Sequence, residues 1–350
     1  MLDEIFIVII FTALALTYRW AFRTLPNEDW QIMGCFPYGK SSSGYWQGWN
    51  LTWYGFFNAT AILFAVSVAI ILLGSLSAPL IPIMTILVLL LLVCLWTGKM
   101  LAFLIEKKRN TATVGGASFM GIIIAPFLLF LLKITGNHFL DFNISIIAIL
   151  SVMAIAYAFG EGIGRLACIS FGCCYGKPLK TLSSHLQNVF NRYSFTFTGK
   201  TKKIAYAHAL DGEKVVPVQA MTTLIYSLTG LMGCYFFLKG FVSTAFVMTL
   251  TVTQIWRFLS EFLRADYRGE GKISVYQTMS LISCLYAFAV TYIFHEAQII
   301  KPDLILGLSM FWNPGLFFFL MILWIVVLFY TGKSRVTFSL IQVKVDEKEI

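Results

Sequence analysis

Residues Leu80 to Thr97 read LIPIMTILVLLLLVCLWT, eighteen consecutive positions without a charge. A helix rises about 1.5 Å per residue, so such a run approaches the roughly 20 residues that cross a hydrocarbon core. Working outward, runs of the same character lie near 5–22, 51–74, 115–133, 143–163, 217–238, 241–258, 274–294 and 311–331. Backbone polar groups in lipid must be satisfied within the segment, and none of these runs shows the two-residue alternation of a barrel, so each is expected to be a helix. The fold class that follows is all-α: a polytopic transmembrane helical bundle. Composition agrees, since 58% of the 350 residues are apolar and 12% are charged, against about 25% charged in soluble proteins. Disordered chains, disulfide frameworks and soluble nucleic-acid-binding proteins are excluded, so no nucleic acid partner is expected. Asp3 and Glu4 precede the first run and no small-residue cleavage site follows it, which reads as a retained anchor rather than a signal peptide.

The charge is unevenly placed. Of 26 Lys and Arg, one face of a nine-span chain carries only Lys133, Lys239 and Lys301, and the other carries 23. The positive-inside rule would make the rich face cytoplasmic, and topology by itself would account for most of Lys99, Lys107, Lys108, Arg109, Lys200, Lys202 and Lys203. The connection 164–216 is far longer than an ordinary loop and is expected to form a small extramembrane cap. Within it, Tyr206 to Val216 alternates about Asp211-Gly212, a hairpin signal. No Walker-type phosphate loop or internal repeat supports a nucleotide-driven transporter, and an ion-coupled one lacks an evident carboxylate inside a span.

The sharpest motif is GRLACISFGCCYGKP, residues 164–178, directly after an apolar helix. Arg165 lies where that helix leaves the bilayer core. An ionisable group at this depth is expensive, and it reads either as a functional cation or as a snorkelling helix-end residue. Gly172 and Gly176 would permit a tight path with backbone amides open to an anion. Cys168, Cys173 and Cys174 lack CxxC spacing and histidine partners, so no metal is expected, and small buried thiols are a commoner reading than a redox pair. A second motif, Arg257-Phe-Leu-Ser-Glu261-Phe-Leu-Arg264-Ala-Asp266-Tyr-Arg268, puts Arg257, Glu261 and Arg264 on one helical face, where Glu261 could hold both guanidinium groups toward a phosphate or simply complete an interfacial salt-bridge ladder. Trp53-Tyr54-Gly55 and Gly115-Gly116-Ala-Ser118-Phe-Met120 open two further spans at the same side of the membrane.

In this order, with Pro217-x-Gln219 between the two arginine motifs, the sequence resembles the prolipoprotein diacylglyceryl transferase family from about residue 50 to 294. On that reading residues 1–50 are an anchor helix and loop, 51–294 the family core, and 295–350 an additional helix and tail. The resemblance implies transfer of a diacylglyceryl group from phosphatidylglycerol to a lipoprotein cysteine thiol, in a bacterial plasma (inner) membrane, with no cofactor. It implies Arg165 and Arg257 as catalytic. Substrate contacts would come from Tyr54, Gly115, Gly116, Ser118, Gly172, Gly176, Gln219, Glu261 and Arg264, with Tyr54 orienting the head group. It also puts the site at the extracytoplasmic interface, against the charge bias.

The departures from the family concern the acceptor. Met120 stands where the family has a histidine, Cys168 and Phe171 replace its asparagines, Cys173 its acid, and Gln219-Ala-Met-Thr222 its Gln-Leu-Tyr-Glu. His185 and His208 in the long connection are replacement bases to consider, or ordinary solvated histidines. A phospholipid-binding protein without catalysis is therefore the alternative to a transferase.

Overall fold

The computed structural model describes residues 1–106, 114–135, 145–265, 273–294 and 301–350. In order the chain forms α1 (Leu2–Thr24), β1 (Ile32–Lys40), β2 (Trp46–Thr52), α2 (Trp53–Gly74), α3 (Leu80–Glu106), α4 (Val114–Thr135), α5 (Ile146–Phe171), α6 (Ser184–Asn191), β3 (Phe195–Thr196), α7 (Lys203–His208), β4 (Lys214–Val215), α8 (Val218–Leu238), α9 (Val242–Ser260), α10 (Val275–Ile293), α11 (Leu304–Ser309), α12 (Pro314–Gly332) and β5 (Lys333–Ile341). Each of the nine apolar runs is a helix. Seven of these are long and apolar enough to cross a membrane, which makes the protein multi-pass. α9 and α10 are 19 residues each but more polar, carrying Thr, Ser, Gln and, in α9, Arg257.

α5 is the central helix, packed against α2, α8 and α9, with 78% of its span buried. Small residues let its neighbours approach, as is usual where helices pack in a membrane. A Cβ on Gly162 would lie 2.9 Å from the Ser227 hydroxyl of α8. α3, the run that first suggested a membrane protein, lies at the periphery with 33% of its span buried. Its exposed Leu92, Leu95, Trp96 and Phe103 face outward, where only lipid would leave them unpenalised.

The two flanking runs are built into the bundle. The Tyr18 hydroxyl hydrogen-bonds Ser227 at 2.6 Å, fixing α1 to α8, and Lys239 at the far end of α8 pairs with Asp3 and Glu4. α12 crosses α2 at Gly55, where a Cβ would come within 2.3 Å of the Gly332 Cα, so Gly55 admits no side chain.

Two features depart from the expected architecture. A three-stranded sheet, ordered β1-β2-β5, joins the segment before α2 to the segment after α12, with Trp49 opposite Phe338. The interaction is non-local, and nothing in either segment alone announces it. In the cap, the Asp211-Gly212 turn is present, with Gly212 at φ +76°, but it does not join two arms of a local hairpin. Residues 203–208 are the helix α7, and β4 pairs instead with β3, Phe195 opposite Val215.

Lys202 is a further correction, because it is not a surface charge set by topology. It is fully buried, and its Nζ donates to the Leu25 carbonyl at the end of α1 and the Ser170 carbonyl near the end of α5. It thereby satisfies carbonyls that two helix C-termini leave unpaired. Burial pushes its ammonium down to about 7, opposed by Glu28 and Asp29. Lys107, Lys108, Arg109, Asp266 and Arg268 lie outside the described residues.

Candidate functional site

Three guanidinium groups from three segments converge on one small cavity at the end of the bundle. Its lining includes Arg165 of α5, Arg257 of α9, Glu261 and Arg264 just after α9, Gln219 and Thr222 of α8, and Cys174. All three arginines are buried, so they are ordered by protein rather than by solvent.

The carboxylate that organises the cluster is Glu161. It lies one helical turn before Arg165 in α5 and forms an ion pair with it. The same Oε1 is 3.8 Å from the Arg257 Nη1, so Glu161 bridges two helices. A carboxylate inside a span was not anticipated, although Glu161-x-x-x-Arg165 in an apolar helix is a legible i, i+4 signal. Buried in this way it stands as a counter-ion to two cations. Its Oε2 and the Arg165 Nε have no hydrogen-bond partner among the described residues.

The second arginine motif is arranged differently from the single face its spacing suggested. α9 ends at Ser260, and a 3₁₀ turn (Glu261–Leu263) carries the chain into an extended Arg264. Glu261 lies 3.8 Å from Arg264, while Arg257 turns inward toward α5 and α4. The Arg257 Nη1 donates to the Tyr157 hydroxyl at 3.0 Å and to the Ser118 Oγ at 3.4 Å. Tyr157 was not singled out in the sequence, since a tyrosine in an apolar run has no distinctive signal. A Cβ on Gly115 would lie 3.0 Å from Arg257 and 2.9 Å from Tyr276, so a bare residue there leaves room for the guanidinium. Gly116 follows, also buried, at the start of α4.

The loop after α5 links the two motifs through its backbone. Gly172 caps α5 in the left-handed conformation at φ +68°, which glycine adopts without steric penalty. Its amide bonds back to Ile169 and is not open to an anion, contrary to expectation. Gly176 bridges Arg264 in antiparallel fashion, flanked by Lys177 N–H to Leu263 O (2.8 Å) and Ala265 N–H to Tyr175 O (3.1 Å). A Cβ on Gly176 would meet the Val216 carbonyl at 2.4 Å. Gln219 donates to the Cys173 carbonyl at 2.9 Å, pinning the same loop to α8.

The three cysteines of this loop meet as well. The Sγ atoms of Cys168, Cys173 and Cys174 lie within 4.8 Å of one another, and the Arg165 Nη1 is 4.0 Å from the Cys168 sulfur. Hydrogen bonds from Cys168 and then Cys173, with the charges of Arg264 and Arg165, hold the Cys174 thiol well below the usual thiol range. Tyr54 packs edge-on against Phe171 at 5.5 Å and lies beside these thiols rather than in the lining of the arginine cavity. His208 is engaged by the Tyr175 hydroxyl and His185 is exposed on α6, so neither lines the cavity.

Fold and site together define a class: a multi-pass helical membrane protein whose buried guanidinium groups gather around one cavity at an end of the bundle. Residues 45–293 match the family model of prolipoprotein diacylglyceryl transferase, and the chain belongs to that family. No curated protein matches it by sequence.

Proposed function

We propose that this protein is an enzyme of a bacterial plasma membrane that moves a diacylglyceryl group from phosphatidylglycerol to the cysteine thiol of a prolipoprotein. The observation that carries this reading is the convergence of Arg165, Arg257 and Arg264 on one cavity. In the reaction the acceptor sulfur forms a bond to the glyceryl carbon, the bond from that carbon to the phosphate oxygen breaks, and its electron pair leaves with glycerol phosphate. The thiol proton is released. The phosphate passes from one negative charge to two, so groups that hold it more tightly as the bond breaks lower the barrier. Fixed guanidinium groups in a site of low dielectric suit that task, and losing one such contact costs about 3 kcal/mol, or roughly a hundredfold in rate. Arg257, oriented by Tyr157, Ser118 and Glu161, and Arg165, oriented by Glu161, are the catalytic pair. Gly176 and Glu261 fix Arg264 as a further phosphate contact, and Tyr54 orients the head group from the cysteine side of the site.

Met120 favours a second reading, a lipid-binding protein without catalysis, because a thioether cannot take up the acceptor's proton. Reconstitution with phosphatidylglycerol labelled in its head group and a lipobox peptide separates the two. Release of labelled glycerol phosphate with a mass gain on the peptide is expected. Release without peptide modification points to another acceptor. Lipid binding without release supports the second reading, and no release together with lipid binding unaffected by Arg165→Ala or Arg257→Ala refutes both. The site is placed at the extracytoplasmic face. A Lys200→Cys variant should be labelled by an impermeant reagent in intact cells, and labelling only after permeabilisation would reverse that assignment.

A further inference from the structure

The thiol cluster has no task in the reaction as described so far. Its construction is specific. Cys168 sits in the last turn of α5, and Cys173 and Cys174 follow the Gly172 cap, where the Cys173 amide bonds to the Cys168 carbonyl at 3.0 Å. Cys174 itself has φ +55°, a left-handed conformation that L residues other than Asn and Asp rarely hold. A glycine would fit there without strain, so a side chain kept in this conformation points to a need for its sulfur. Cys168 and Cys173 are buried, and Cys174 lines the arginine cavity.

We propose that Cys168, Cys173 and Cys174 bind one zinc ion, whose fourth position faces the arginine cavity and takes the sulfur of the acceptor. Zinc bound by thiolates at about 2.3 Å in tetrahedral geometry sets the sulfurs roughly 3.8 Å apart, and sulfurs that already lie within 4.8 Å reach this by small rotations. Three protein ligands with an open fourth position are the pattern of catalytic rather than structural zinc. The Arg165 Nη1, 4.0 Å from the Cys168 sulfur, supplies the outer-shell donor that thiolate ligands commonly have.

This inference rests on the transferase reading and deepens it, because it supplies what Met120 lacks. A thiol that coordinates zinc gives up its proton, here to water as it binds and before the carbon–sulfur bond forms, so no protein base need remove it in the transition state. The zinc-bound thiolate attacks the glyceryl carbon. Its lone pair becomes the carbon–sulfur bond, the carbon–oxygen pair leaves with glycerol phosphate against the arginines, and the thioether product, a weaker ligand, departs.

The test measures zinc per chain in the purified full-length protein, then replaces zinc with cobalt and records the thiolate-to-cobalt absorption. One zinc per chain is expected, retained in a Cys35→Ser control and reduced at least tenfold in affinity in Cys168→Ser, Cys173→Ser and Cys174→Ser. A lipobox peptide should shift the cobalt spectrum, and the same peptide with serine for its cysteine should not. Circular dichroism of each variant reports whether loss of metal reflects loss of fold. Zinc no higher than in the triple serine variant, recovery of any two of the cysteines as a disulfide, or full transfer activity in metal-free protein would each overturn the proposal. Arg257→Ala separates this from the broader reading: zinc kept with head-group release lost leaves the metal site intact and implicates the arginines. A cobalt spectrum indifferent to the peptide would refute the acceptor role.

Discussion

Glu161→Gln removes the charge that joins Arg165 and Arg257 and almost nothing else, which makes it the sharpest test of the site. At the 3.8 Å separation from Arg257, and with an effective dielectric constant near 20, the lost attraction is about 4 kcal/mol. The closer pairing with Arg165 is lost at the same time. Part of this is recovered because a neutral amide is less costly to bury than a carboxylate, so the net destabilisation should be about 3 kcal/mol, in the range for breaking one partner of a buried pair. The amide also brings a donor to the place of Oε2, which has no hydrogen-bond partner among the described residues, adding about 1–3 kcal/mol if no acceptor reaches it. Thermal unfolding in detergent and head-group release by the reconstituted protein measure the two consequences. Glu161→Gln should lower the unfolding midpoint more than Glu261→Gln does, since Glu261 lies within ion-pair distance of Arg264 but not of Arg257. Release should fall at least a hundredfold, because both guanidinium groups lose their orientation. A variant within about 0.5 kcal/mol of the parent and with unchanged release would show that Glu161 does not organise the cluster.

Arg257→Lys keeps the charge but cannot serve Tyr157 and Ser118 while presenting a planar fork; release should drop about a hundredfold, and near-parental rates would remove Arg257 from the chemistry. Gly176→Ala drives a Cβ to 2.4 Å from the Val216 carbonyl and should loosen Arg264, seen as weaker phosphatidylglycerol binding alongside a lower unfolding midpoint; unchanged binding would separate Arg264 from the anion. For Lys202 the folded pKa of about 7 lies below the ordinary lysine value of 10.5, so between these limits the unfolded chain holds more protons and stability should rise with pH. Lys202→Met should flatten that rise in pH-dependent unfolding, and an identical slope in both proteins would discount the buried lysine.

Much of the bundle is legible from apolar run length, because each span must satisfy its own backbone in lipid whatever its neighbours do. Arg165 and Arg257 were legible because a guanidinium in an apolar helix demands an explanation. The partnership between them was not, since Glu161 belongs to the first motif by sequence and reaches the second only across the packing of α5 on α9. The β1-β2-β5 sheet escaped notice for a similar reason: β2 and β5 are separated by nearly the whole chain, and only helix packing brings their edges together. The Asp211-Gly212 turn forms without the hairpin that its flanking alternation suggests, because a turn residue fixes local φ but does not choose the strand that pairs beyond it.

The sequence by itself determined that this chain crosses a membrane many times, since that follows from the transfer free energies of single residues. Tertiary structure alone decided which helices lie inside. Leu80–Ile105, with a mean hydropathy of 2.7, sits at the rim, whereas α9, more polar than any of the seven apolar spans, packs on α5 and carries Arg257 to the buried cavity. Lipid tolerates only apolar surface, so the most hydrophobic helix can face it. A polar helix must find its partners in protein, and for α9 those partners are Tyr157, Ser118 and Glu161.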